Sequence, residues 1–483
     1  MYSLSPHSLR TVSRLKHFVF LLVALVTPCL SASEHPNIVL VFIDDMGWGD
    51  FSCFGNTEAT TPNIDAMAKE GISFRQFYVN SPICSPSRVA ISTGQYPHRH
   101  RISSYLNNRK DNERRGMANW LDPSAPMLAR YLQQAGYATA HCGKWHMGGQ
   151  RDVDDAPPIT AYGFDTSLTN FEGMGAKLLP LTETPTKDGG VTKGRIWDKA
   201  TNLGEPVEWM LRSKITGGFA DKAIDFIDQA QAKDQPFYVN VWPDDVHGPY
   251  FPTVENWSGT KHGLYLAVLV EMDQQLSRLF NRVTDDPKLR ENTLILICSD
   301  NGPDEEGGSA GPFTGLKATL FEGGIRSPLI VWGPSLIAKE QRGKINDTSV
   351  FAAFDLVPSL LHLAGVSTPT EADFDGENLA DTLVGKNDQS RSAPIFFRRP
   401  PDRKDFRNYT NLPDLAVREG NWKLLCDYDG KRPRLHDLAA DPAEATNVAE
   451  QHPEVTKRLI AATVAWNKAL PADAGDPAFR QVQ

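Results

Sequence analysis

The sequence has no Cys-x-x-Cys pair, no internal repeat, no low-complexity tract, and no apolar run beyond its N-terminus long enough to cross a bilayer. Each absence excludes something. Scattered cysteines indicate neither a zinc site nor a disulfide framework. Lys and Arg number 50 against 59 Asp and Glu, and a net charge of −9 argues against a general nucleic-acid binder, although a local basic pocket for an anion is compatible with it. With 40% hydrophobic and 23% charged residues in 483, the chain reads as globular, with a large core and more than one domain.

Arg10, Arg14 and Lys16 precede the apolar run Phe18 to Val26, and small residues follow at Ser31, Ala32 and Ser33. This order predicts a secretory signal over residues 1–33, and hence a secreted or periplasmic protein without stable membrane association. Cys29 is a poor lipidation site behind Thr27 and Pro28. Five cysteines then remain: Cys53, Cys84, Cys142, Cys298 and Cys426. Cys142 and Cys298 close apolar runs and read as buried thiols. Cys84 differs, lying among Ser, Pro and Arg.

Asn37 to Ile43 is nearly continuously apolar, which suits a strand buried on both faces. Thr61-Pro62 opens a helix with an Ile64, Met67, Ala68 stripe that stops at Gly71. Strand-like runs follow at 137–142, 237–242, 293–298 and 328–332, and helix-like segments at 126–135, 219–227, 264–283 and 354–364. Repeated β-then-α order predicts an α/β fold: a large mixed, mostly parallel sheet sandwiched by helices, over 34–385. Shorter strands at 394–398, 415–418 and 422–427 and a helix near 453–469 predict a smaller C-terminal α+β domain of antiparallel sheet plus helix, over 386–483. Two stretches break the rhythm: the basic segment 97–116, and 151–214, which reads as long, polar and irregular.

Polar residues fall where strands end. Asp44 and Asp45 follow one strand, Lys144 and His146 another, His247 a third, and Asp300 and Asn301 a fourth. Ligands of open parallel sheets bind beyond the carboxyl ends of strands. Three carboxylates and an amide oxygen there would repel one another without a cation, and oxygen donors suit Ca²⁺ or Mg²⁺. Either carboxylate pair alone reads better as a turn or a cap; the coincidence of four segments is what points to a site. Lys144-Trp145-His146, if extended, puts lysine and imidazole on one side, suited to anion contact and proton transfer. His247 before Gly248-Pro249, and Lys317, are individually ordinary. In Cys84-Ser85-Pro86-Ser87-Arg88, Pro86 begins a helix with Cys84 at its N-terminal end, where free N–H groups favour an anion or thiolate. Arg88 adds a planar multi-donor cation.

These motifs together resemble the formylglycine-dependent sulfatases of the alkaline-phosphatase-like superfamily, over nearly the whole mature chain. Asn37-Ile38-Val39 into Asp44-Asp45-Met46-Gly47, Cys84-Ser85-Pro86-Ser87-Arg88 with Thr93-Gly94, and Gly143-Lys144-Trp145-His146 are similar to family blocks. So are Asp300-Asn301-Gly302, Glu322-Gly323-Gly324-Ile325-Arg326 and Leu435-His436-Asp437-Leu438 with Asp441-Pro442 and Glu444. The resemblance implies a sulfuric ester hydrolase whose Cys84 is oxidised to formylglycine by a maturation enzyme. It implies Ca²⁺ bound by Asp44, Asp45, Asp300, Asn301 and the modified Cys84, with Mg²⁺ as the other hard cation. Arg88 and Lys144 would steady the nucleophile and the sulfate, His146 would deprotonate a hydrate hydroxyl, and His247 and Lys317 would bind sulfate and protonate the leaving alcohol. A hydrated aldehyde carries two hydroxyls on one carbon: one can attack sulfur, and the other can lose its proton so that sulfate departs. Gln95, where a basic residue often follows Thr-Gly, and Ser92, where a larger apolar residue is common, depart from the family pattern.

A sulfated carbohydrate is the expected substrate, from export, from the basic segment 97–116, and from Trp242, Tyr250 and Phe251 as stacking surfaces near His247. Two other readings stay open: a formylglycine-dependent phosphodiester or phosphonate monoester hydrolase, and an inactive binder of sulfated glycans.

Overall fold

The computed structural model describes residues 35–305 and 307–479; the expected signal segment and Cys29 lie outside them. Strand β1 (Asn37–Ile43) is buried along its whole length. Its alternate residues enter two different cores. Ile38, Leu40 and Phe42 join one cluster, with the helices Leu128–Gln134 and Leu356–Leu363. Val39, Val41 and Ile43 join the other, with the helices Pro62–Glu70, Ile215–Gln231 and Lys261–Thr284. Continuous hydrophobicity is therefore what a strand with helices on both faces requires, because period-2 alternation sends every side chain into apolar packing. Burying each such Val, Leu or Ile stabilises the fold by roughly 1.5–3 kcal/mol.

The other strands of this sheet are β2 (Ile72–Tyr78), β3 (Ala138–Gly143), β4 (Thr166–Thr169), β5 (Lys177–Pro185), β6 (Val191–Arg195), β7 (Val207–Leu211), β8 (Phe237–Trp242), β9 (Thr293–Ser299), β10 (Arg326–Trp332) and β11 (Lys344–Ala352). They run in the order β11-β2-β10-β9-β1-β8-β3-β4-β5-β6, with β7 also on β5. The centre is parallel: β1 pairs with both β8 and β9, and β8 with β3. β10 is antiparallel to β9 and β2, and β6 to β5. The expected α/β fold is present.

A second, antiparallel sheet holds β12 (Ile395–Arg398), β13 (Leu415–Glu419), β14 (Trp422–Cys426) and β15 (Arg434–Asp437) in sequence order. The helix Pro453–Lys468 packs on it through Leu459, with Trp466 stacked on Phe396 at 5.3 Å. A buried ion triad ties this sheet to the first: Lys423 Nζ lies 3.0 Å from Glu322 Oε1 and 2.9 Å from Glu444 Oε1, all three side chains fully buried.

The segment 151–214 differs from expectation. It contains β4 to β7, which extend the large sheet. β4 is only Thr-Ser-Leu-Thr, and β6 is exposed at every residue, so neither carries the alternation that marks a half-buried strand. The five cysteines of the described residues are all free thiols, and Cys142 and Cys298 are buried.

Candidate active site

Strand register brings the site together. Ile43 pairs with Ser299, Val41 with Val241, and Gly143 with Trp242. The residues that follow these strand ends, Asp44-Asp45, Asp300-Asn301, Lys144 and the Asp244–His247 turn, therefore emerge along one edge. Adjacent residues of an extended chain point opposite ways. Asp45 escapes this by taking a left-handed backbone (φ 57°), and ligand oxygens of Asp44, Asp45 and Asp300 lie within 4.8 Å of one another. Gly302 is the residue that a close approach demands: a Cβ there would sit 1.9 Å from the Gly323 carbonyl oxygen.

The donor set fits a hard cation. All three carboxylates are buried. Asn301 Nδ2 donates to Asp45 Oδ1 (2.8 Å) and to the Gly302 carbonyl (2.9 Å), which leaves its buried Oδ1 without a partner. Burial and the neighbouring Asp44 charge push Asp300 well up, while the charges of Lys144, His247 and Arg88 outweigh burial and hold Asp44 well down. A shared positive ion removes that conflict.

Cationic side chains complete the cluster. Arg88 is fully buried: Nη2 donates to Asp44 Oδ1 (2.9 Å) and Asp300 Oδ2 (2.7 Å), Nη1 to the Lys144 carbonyl (3.2 Å), and Nε has no partner. Lys144 Nζ reaches Asp44 Oδ2 at 2.7 Å and Lys317 Nζ reaches Asp45 Oδ2 at 2.5 Å. Burial opposes both ammonium charges, but the Asp44 and Asp45 carboxylates beside them keep both lysines pushed up.

Cys84 is the first residue of the helix Cys84–Thr93, every residue of which is buried. It opens into a cavity of about 320 Å³ whose wall includes Lys144, His146, Glu172, His247 and Lys317. His146, like Asp45, has a left-handed backbone (φ 51°), and Trp145 behind it is buried in the core. The segment is thus kinked where extension was expected, and Lys144 and His146 still share the cavity wall.

Residues 36–366 match the Sulfatase family model, and residues 314–466 match the model described as N-sulphoglucosamine sulphohydrolase, C-terminal. N-acetylgalactosamine-6-sulfatase of Canis lupus familiaris is 31% identical over 379 residues, covering 76% of this chain and 69% of that protein. Arylsulfatase A of Homo sapiens is 29% identical and covers 93% of each chain. The crystal structure of Ps i-CgsB in complex with k-i-k-neocarrahexaose superposes with a TM-score of 0.72 at 26% identity, covering 89% of this chain and 92% of that one. The chain belongs to the sulfatase family. It is a sulfuric ester hydrolase.

The most informative residue of this sulfatase that sequence reasoning missed is Glu172. Its Oε1 lies 3.0 Å from His146 Nε2, and that same nitrogen lies 3.0 Å from the Leu106 carbonyl oxygen. A carbonyl can only accept, so Nε2 carries the proton and Nδ1, buried without a partner, carries the lone pair. Burial lowers His146 to about 4 against the raising effect of Glu172, and burial pushes Glu172 up. The loop that delivers Glu172 is held from behind by buried Lys177, whose Nζ donates to Thr169 Oγ1 (3.0 Å) and to the Gly173 carbonyl. His247 is the mirror case: Nδ1 donates to the Gly248 carbonyl (2.8 Å), so Nε2 is bare and lies 3.6 Å from Asp45 Oδ2. Burial and the Lys144 charge lower His247 to about 4.

Two expectations about substrate contact are corrected. Trp242 is fully buried against Phe42 (5.3 Å) and the Arg88 guanidinium (5.1 Å), and Tyr250 is buried against Tyr265. Neither has a free face for a sugar. The arginines of 97–116 are mostly spent within the protein: Arg99 on Asp373 and Asp375, Arg109 on Asp155, Arg114 on Asp111, and buried Arg115 on Asp402. From that segment the cavity receives Tyr105 and Leu106 instead.

Proposed function

We propose that this sulfatase removes sulfate from a sulfated carbohydrate, with Cys84 as formylglycine, a cation on Asp44, Asp45, Asp300 and Asn301, and export through the N-terminal segment. One observation carries the reading: Cys84 shares a cavity wall with two lysines and two imidazoles, and an oxygen-only donor cluster adjoins it. Ca²⁺ suits those donors, with Mg²⁺ as the alternative hard ion. The cation would supply Lewis-acid stabilisation, and the formylglycine a hydroxyl nucleophile able to expel sulfate.

The chain's own residues do the rest. Lys144 and Lys317 place two positive charges where the sulfate oxygens gain negative charge in the transition state. Arg88 holds Asp44 and Asp300 in place from behind. His146 takes up a proton at Nδ1, because Nε2–H is already committed to Leu106 and Glu172. His247 carries a proton at Nε2 to the leaving alcohol; the negative charge of a bound sulfate ester raises its basicity again. Relatives named N-acetylgalactosamine-6-sulfatase and a structural neighbour crystallised with a neocarrahexaose support the carbohydrate reading.

The test compares kcat/KM on aryl sulfate and aryl phosphate esters, followed by a panel of defined sulfated oligosaccharides. Peptide mass spectrometry across Cys84 runs alongside it. Preference for phosphate esters, or an intact thiol in protein that turns over sulfate, would overturn the reading.

A further inference from the structure

Cys84, Lys144, His146 and Ala318 form the buried floor of the cavity, while Tyr105, Arg151, Trp197, Asp304, Arg403, Phe406 and Arg407 stand at its more exposed side. The wall carries five cationic side chains, Lys144, Arg151, Lys317, Arg403 and Arg407, against the carboxylates of Glu172 and Asp304, in a protein whose net charge is −9. Most of these cations are already committed. The two lysines face Asp44 and Asp45. Arg407 is clamped by Asp304 (3.0 Å) and faces Glu305 at 3.7 Å.

Arg151 is uncommitted, and Arg403, whose Nη1 donates to the Asp402 carbonyl (3.0 Å), is only partly so. The Arg151 side chain has no hydrogen bond or ion pair among the described residues, and its backbone is left-handed (φ 55°). Such a conformation costs a non-glycine residue about 1–2 kcal/mol and concentrates at functional sites. The Arg403 guanidinium lies over the rings of Tyr105 (5.2 Å) and Phe406 (5.6 Å), and its Nε is buried without a partner. Its one carboxylate, Asp402 (2.9 Å), is shared with Arg115 (2.9 Å), so one negative charge serves two guanidiniums. Beside them the half-buried Trp197 lines the cavity, its ring tilted by 30° against that of Phe171 with centroids 3.9 Å apart and the Arg212 guanidinium 5.2 Å from its centroid.

We infer that the cavity mouth is an anion subsite in which Arg151 and Arg403 hold a second oxyanion, sulfate or carboxylate, carried by the sugar that bears the scissile sulfate. This rests on the sulfated-carbohydrate reading and deepens it: the substrate is at least doubly anionic. At about 320 Å³ the cavity is at the small end of ligand pockets, which keeps the second charge on the same ring or the next one. Planar guanidiniums suit either group, since both present paired oxygens to a two-pronged donor.

The experiment uses full-length protein with Ca²⁺, carrying Cys84→Ser so that ligands bind without being consumed. Affinities are measured by calorimetry for a monosulfated sugar, the same sugar with a second sulfate, and the monosulfated uronate. The expected result is about tenfold tighter binding of one or both doubly charged ligands, the two arms separating sulfate from carboxylate, with most of that advantage gone in Arg151→Ala. Arg403→Gln, which keeps the bulk between the two rings, is a second variant with the same expected loss. Equal affinity for singly and doubly charged sugars overturns the subsite, as does an advantage that survives both substitutions. Turnover of the monosulfated sugar by wild-type protein is scored separately, so failure of the sulfatase reading is distinguishable from failure of the subsite.

Discussion

Glu172 Oε1 lies 3.0 Å from the same nitrogen of His146 that faces the Leu106 carbonyl, and both side chains are buried. The Leu106 carbonyl, with Glu172 beside it, assigns the proton to Nε2 and leaves the lone pair on Nδ1. Glu172→Leu is expected to lower kcat by roughly 100-fold, the low end of what general acid–base groups contribute, with KM changed far less. Steady-state kinetics on an aryl sulfate checks it. A KM-only effect would mean that Glu172 shapes the substrate pocket and leaves the proton position alone.

Cation binding should couple to pH in a definite direction. Burial and Asp44 raise Asp300 in the folded protein above its unfolded value. Without a cation, the stability that its protonated form supports is full below the unfolded pKa and is lost as pH rises through the folded one. A cation competes with that proton. The increment in Tm on adding Ca²⁺ to chelator-treated protein should therefore be larger at pH 8 than at pH 5, measured by differential scanning calorimetry. An increment that shrinks as pH rises would refute it.

Arg88 bridges Asp44 and Asp300 with no exposure at any of the three side chains. Removing one member of a buried ion cluster typically costs about 3–5 kcal/mol. Arg88→Met should lower the urea midpoint accordingly, and Arg88→Lys should recover only part of it, since one ammonium lacks the fork that spans both carboxylates. Denaturation followed by fluorescence measures both.

Lys423 faces Glu322 and Glu444 in the triad between the two sheets. Burial works against both carboxylates; Lys423 helps to hold Glu322 down to about 2, while burial still pushes Glu444 up. Without the lysine both folded pKa values rise, with Arg326 and Arg418 left to offset Glu322, so the charged carboxylates are under-compensated once pH exceeds the unfolded carboxyl value. The stability deficit of Lys423→Met should be small near pH 4 and widen towards pH 8. Unfolding curves across that range test the sign.

Much of the site was legible because buried strands end visibly in a sequence. The run Asn37 to Ile43 and its counterparts mark carboxyl ends, and Asp44, Lys144, His247 and Asp300 follow from them. What stayed hidden came from segments without periodicity. Glu172 and Trp197 sit in the stretch that read as irregular, and Arg403, Phe406 and Arg407 in a loop between β12 and β13. Nothing in one dimension places those residues opposite Cys84. The aromatic residues near His247 misled for the converse reason: proximity along the chain does not say which face is free, and Trp242 spends its surface on Phe42 and Arg88.

The helix that begins at Cys84 has all ten of its residues buried, Pro86 and Arg88 among them. A second enzyme reads a peptide motif by wrapping around it, and this motif has no outer side once the sheet and its helices close. On the proposed formylglycine reading, a catalyst that oxidises Cys84 would therefore have to meet the chain while it is still unfolded. Chains that fold first would then be trapped as thiols, and activity would be set by a race between an oxidising visitor and the chain's own collapse.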